Sequence, residues 1–115
     1  MDILEVLQTI ILLATAGMGV FSFVKPHSTV GFTGLAPSGV RGVSEIRAVL
    51  GGLFVGLGLA PLILGATEAY QAVGIGYLAI AAARGFSILY DRSYAQSNLV
   101  SLGTEIVFGI VLILK

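Results

Sequence analysis

The sequence predicts an all-α fold, an integral membrane bundle of four helices, and three observations carry that prediction. Hydrophobic residues make up 57% of the 115-residue chain and charged residues only 10%, where an ordinary globular chain carries about 25% charged. Four runs approach the roughly 20 apolar residues that a helix needs to cross a hydrocarbon layer about 30 Å thick. These runs are too long for barrel strands and lack strict alternation. With so few polar side chains available, lipid has to be the solvent for most of the surface, and the bilayer is the first partner the composition implies.

The first span runs from about Ile3 to Val24 and stops at Lys25-Pro26, since the residue before a proline is pushed out of the helical region. Its leading charges are Asp2 and Glu5, whereas secretory leaders open with positive ones, so it reads as a retained helix. The second span covers about Val43 to Gly65, with Pro61 expected to kink its outer half. The third covers about Ala69 to Tyr90 and ends at Asp91-Arg92. The fourth, about Leu99 to Leu114, is short, but Lys115 can snorkel to the interface. A Gly/Pro/Ser-rich loop at 26–42, a tight turn at 66–68 and a polar segment at 91–98 connect them, and residues 1–115 form one transmembrane domain.

Several chemistries are set aside by composition. A formal net charge of zero supplies no basic stripe for nucleic acid. The absence of cysteine excludes disulfides and thiolate ligands. His27 is the single histidine and has no second ligand spaced for a metal. The loop "GFTGLAPSGVRG" lacks the lysine of a phosphate loop, and reads as a turn-rich surface segment that is also a candidate cover for the charged cluster. Nothing places serine, histidine and aspartate as a triad. The expectation is a non-enzymatic protein with no cofactor and no metal. Lys25, Arg41 and Arg92 lie in the loops after spans one and three, so those loops are expected on the cytoplasmic side of the cell inner membrane, with both termini outside.

Charges inside the spans are the candidate site. Glu45 and Arg47 lie in the first turns of span two, Arg84 lies about 9 Å before the end of span three, and Glu105 about 9 Å into span four. Tyr77, Arg84, Ser87 and Asp91 share one face of span three, while Asn98, Ser101, Glu105 and Gly109 share one face of span four. In span two, Glu45, Gly52 and Gly56 fall on one side, with Arg47, Gly51, Phe54 and Gly58 nearly opposite, so both sides are candidate helix-packing faces. A charge in a bilayer is expensive and normally turns inward to pair. The expected pairs are Arg84–Glu105 and Glu45 with Arg47 or Arg84. Two readings stay open: a structural ion-pair network, or a small polar cavity binding an anion, a lipid headgroup or a proton. Glu5, near Gln8 and Thr9, reads as a solvated helix start, and Gly17, Gly19, Gly74 and Gly76 as close-packing positions.

The segments "SEIRAVLGGLFVGLG" and "ARGFSILYD" resemble the bacterial four-helix membrane family called domain of unknown function 4345, which is similar to the wider DoxX-like set of small membrane proteins. The resemblance rests on Glu45, Arg47, Gly51 and Gly52, on Arg84 and Asp91, and on Glu105. It implies a four-helix bundle with a polar cluster and no established activity. The leading reading is therefore a membrane protein whose Glu/Arg cluster organises the bundle and accepts a small polar or lipidic ligand. The alternatives are a small oligomeric transporter and an accessory subunit of a larger membrane complex, so a homo-oligomer and a membrane complex are the candidate assemblies.

Overall fold

The computed structural model describes all 115 residues and contains helices and no strand. Four helices are long and apolar enough to cross a membrane: Ile3–Val24 (α1), Gly39–Leu64 (α3), Thr67–Tyr90 (α4) and Gln96–Ile113 (α5). Only 33%, 22%, 22% and 17% of their apolar windows are buried inside the chain. The remainder is outward-facing, and it includes Ile63 at 77%, Leu89 at 75% and Phe86 at 65% exposure. Such a surface is stable only with lipid against it.

The helices are five rather than the four predicted. The 26–42 segment is not simply a loop, because Pro26–Thr29 forms a 3₁₀ turn that runs into the short helix Val30–Thr33 (α2). Pro26 opens it with its fixed φ, and threonine hydroxyls knit it. Thr29 donates to the Pro26 carbonyl at 2.9 Å, Thr33 donates to the Thr29 carbonyl at 2.7 Å, and the Leu35 N–H returns to Thr33 Oγ1 at 3.0 Å. Gly34, at φ +75°, then closes the turn in the left-handed region that glycine tolerates. The spans themselves begin earlier than expected, at Gly39, Thr67 and Gln96.

The chain forms two compact units, Thr9–Leu64 and Met1–Gln8 with Gly65–Lys115. In the first, α1 meets α3 backbone to backbone. A Cβ built on Gly58 would lie 2.6 Å from the Ala16 nitrogen and the Leu12 carbonyl oxygen, and one on Gly19 would lie 2.6 Å from the Gly51 oxygen. Without side chains at those positions the two helices come close enough for extended dispersion contact. Leu12 and Pro61 are fully buried there. Residues Ile46–Leu53 of α3 are wound as a π-helix, and this wider coil contains Gly51 at its contact with Phe23, 3.0 Å from the built Cβ.

In the second unit α4 and α5 pack antiparallel. Gly74 and Gly109 face each other across the pair, where a Cβ on Gly74 would lie 2.9 Å from the Gly109 oxygen. Tyr77 and Phe108 meet edge-on at 5.5 Å. The end of α5 shows how a helix terminates in an apolar setting. Of its last four carbonyls, those of Ile110 and Leu112 accept the N–H groups of Leu114 and Lys115, and side chains serve the other two. The Gln8 side-chain amide donates to the Val111 carbonyl at 2.9 Å, and that of Gln71 reaches the Ile113 carbonyl at 3.5 Å. Lys115 Nζ sits 4.5 Å from the Tyr70 ring centroid, a favourable cation–π arrangement.

Candidate functional site

Register and side-chain direction together build the charged site. With Gly74 beside Gly109, antiparallel counting sets the Arg84 Cα at the level of Asn98 and Leu99, about six residues or 9 Å from the level of Glu105. Helical side chains lean toward their own N-terminus. In an antiparallel pair, Arg84 and Glu105 therefore lean toward each other and close that gap. Arg84 donates from Nε to Glu105 Oε1 and from Nη2 to Oε2, both at 2.7 Å, and from Nη1 to Asn98 Oδ1 at 2.9 Å. The fork is bidentate, the strongest geometry for this pair. The side chains are 30% and 12% exposed.

Sequence counting set the two charges at equal depth. Helix α5 begins three residues before the predicted start, so Glu105 lies deeper than Arg84, and Asn98 is the residue that faces Arg84 directly. Asn98 lay on the predicted face but outside the predicted site. It is positioned in turn by two bonds from its amide nitrogen, to the Ser93 carbonyl at 3.1 Å and the Ser93 hydroxyl at 3.0 Å. Its separation of seven residues from Glu105 was the available clue.

The other predicted residues arrange differently. Glu45 is exposed, and its partner is neither Arg47 nor Arg84 but Arg41, four residues earlier on the same helix. The reason is that α3 starts at Gly39, which sets Arg41 and Glu45 one turn apart, whereas residues two apart point to opposite sides. Arg47 instead lies over the Phe23 ring at 5.6 Å. Ser87 donates to Asp91 Oδ2 at 2.6 Å at the end of α4. Ser101 is half-buried one turn before Glu105. Of the four span-two glycines, Gly51 and Gly58 meet α1, while nothing lies within 4 Å of a Cβ on Gly56 and only the Arg47 carbonyl, at 3.9 Å, near one on Gly52. Gly52 and Gly56 therefore form no packing face within the chain, a correction that follows from their position a third of a turn or more away from the Gly51–Gly58 line. Gly17 and Gly76 are likewise open, unlike Gly19 and Gly74.

One pattern escaped the sequence reading. The buried polar side chains Gln8, Thr15, Ser22 and Thr29 recur every seven residues along α1 and the turn that follows it. In a helix this period keeps one face, and polar residues at sevens in an apolar run were the mark to look for. Two hollows adjoin the charged residues. One of ≈ 340 Å³ is lined by Leu35, Pro37, Ser38, Glu45, Ile46 and Val49 among others. The other, of ≈ 370 Å³, is lined by Ile80, Ala83, Arg84, Ser87 and Asn98.

Four apolar helices with an internal Arg–Glu–Asn cluster define a multi-pass helical membrane protein. The family description "Domain of unknown function (DUF4345)" matches residues 3–115, and the chain belongs to that family. Comparison with curated proteins and with solved structures returned no match.

Proposed function

We propose that this is a non-enzymatic membrane protein in which the Arg84–Glu105–Asn98 cluster fixes the rotation and register of α4 against α5, and in which the hollow beside Arg84 accepts a small polar or lipidic ligand. The bidentate fork is the observation that carries the first part. Three of the five guanidinium N–H groups are spent on the two α5 side chains Glu105 and Asn98, which only one rotation of each helix permits. The test is whether removing both charges is better tolerated than removing either one. A second reading, association with another copy or with a larger membrane complex, is supported by Gly52 and Gly56, whose bare backbone lets another helix approach. Copurification of a partner, or a dimer in mild detergent, favours that reading, and a stand-alone monomer opposes it.

The orientation proposed is Lys25, Arg41 and Arg92 toward the cytoplasm, with both termini outside the inner membrane, on the bias of basic residues. Single cysteines introduced at Ser38 and Thr67 read this out, since the chain has none of its own. An impermeant thiol reagent on intact cells should label position 67 and spare position 38. The reverse pattern overturns the orientation.

A further inference from the structure

The hollow beside Arg84 is where hydrogen-bonding capacity is left over. A guanidinium has five N–H donors, and Arg84 uses three. The other two belong to a side chain that is 30% exposed and lines the ≈ 370 Å³ hollow with Ile80, Ala83, Ser87 and Asn98. Being part-exposed, these donors are open to an acceptor from outside the chain. The volume is more than twenty times the roughly 10–15 Å³ that one water needs on the same measure. Asn98 lies in the first turn of α5, so the hollow opens at the mouth of the α4–α5 hairpin, at the membrane edge rather than its middle.

Charge narrows the occupant. Glu105 already neutralises Arg84. Asp91, just past the end of α4, accepts a bond from the hollow-lining Ser87 and so adds a negative charge next to it. A bare anion would therefore meet an unrewarding field, while a head carrying an acceptor and a cation together matches it. Ile80 and Ala83 add apolar lining. We propose that this hollow binds the head of a zwitterionic phospholipid, its phosphodiester oxygens accepting the two remaining N–H groups of Arg84 and its ammonium group turned toward Asp91. The inference rests on the reading of the Arg84 cluster as ligand-accepting and names the ligand class.

The test is thermal unfolding of the full chain in detergent, with phosphatidylethanolamine, with diacylglycerol of the same acyl chains, with phosphatidylglycerol, or with inorganic phosphate. Ala83→Phe is the variant chosen to fill the hollow, since Ala83 lines it and takes no part in the Arg84–Glu105 bonds, and Ala83→Leu serves if the larger residue prevents folding. Phosphatidylethanolamine should raise the midpoint, and its apparent affinity should fall at least about tenfold in the filled variant. Diacylglycerol and inorganic phosphate should leave the midpoint unchanged. Phosphatidylglycerol should act more weakly, and Asp91→Asn should erase that difference. Equal shifts from the diacylglycerol, a shift reproduced by inorganic phosphate, an undiminished response in the filled variant, or an Asp91→Asn protein that still prefers phosphatidylethanolamine would each overturn the proposal. Coupling between Arg84 and Glu105, measured without lipid, stands apart from these outcomes. If it persists while the lipid response is absent, the clamp survives and this inference alone fails.

Discussion

Removing Glu105 should expose how much the α4–α5 clamp matters, and the expected size follows from what Arg84 would lose. Glu105→Ala strips two of the three bonds on the guanidinium and leaves a cation with Asn98 alone. An arginine at the centre of a membrane helix costs about 2.5–3.5 kcal/mol on insertion scales. Arg84 is nearer the edge, so the expected loss is about 2–3 kcal/mol. Arg84→Ala leaves Glu105, only 12% exposed, without its fork, and a similar loss of about 2–3 kcal/mol is expected. In the double variant neither orphan charge remains. It should lose only the packing and hydrogen bonds, about 1–2 kcal/mol, far less than the sum of the single losses. The coupling energy is then about 3 kcal/mol, read from reversible unfolding of the detergent-solubilised protein by a denaturing detergent. Additivity to within about 0.5 kcal/mol would refute the clamp, because each charge would then be served by something other than its partner.

Two further expectations concern packing and helix ends. Gly58→Ala places a methyl 2.6 Å from backbone atoms of Leu12 and Ala16 and should cost about 2 kcal/mol, whereas Gly56→Ala meets nothing within 4 Å and should gain up to about 1 kcal/mol in helix propensity; unfolding midpoints that move the same way for both would contradict the assigned face. Gln8→Leu removes the donor to the Val111 carbonyl but also a buried amide oxygen with no partner of its own, so the net loss should be about 1 kcal/mol, with hydrogen exchange accelerated selectively in the last turn of α5.

The spans and the Arg84–Glu105 pairing were legible because both follow from one-dimensional rules. Apolar length sets a membrane helix, and a charge within it seeks the opposite charge. Helix starts were less legible. Ala95 precedes its helix with no capping side chain, so the start at Gln96 carries no sequence mark, while Ser38 is a capping residue type whose signal went unused and which makes no cap bond. That shift of a few residues had consequences for the site. It handed Glu45 to Arg41, set Glu105 deeper than Arg84, and brought Asn98 opposite the guanidinium. Which glycines pack was also hidden. Gly51 and Gly52 are adjacent and chemically identical, and only the neighbouring helix distinguishes them. The short helix after Pro26 was hidden because that proline reads equally as the stop of α1 and as the first residue of a new turn, and the turn is assembled by threonine hydroxyls reaching back to carbonyls.

The π-wound stretch of α3 bears on how four unequal rods serve one bilayer. At the ordinary rise of about 1.5 Å per residue, the 26 residues of Gly39–Leu64 would reach roughly 39 Å, well beyond the hydrocarbon thickness of about 30 Å, while the 18 residues of α5 reach roughly 27 Å. Winding eight of those residues, Ile46–Leu53, into a fatter coil gains girth at the expense of height. The long segment is thereby drawn closer to the dimension of the short one, which reduces the hydrophobic mismatch that tilting or bilayer deformation would otherwise have to absorb.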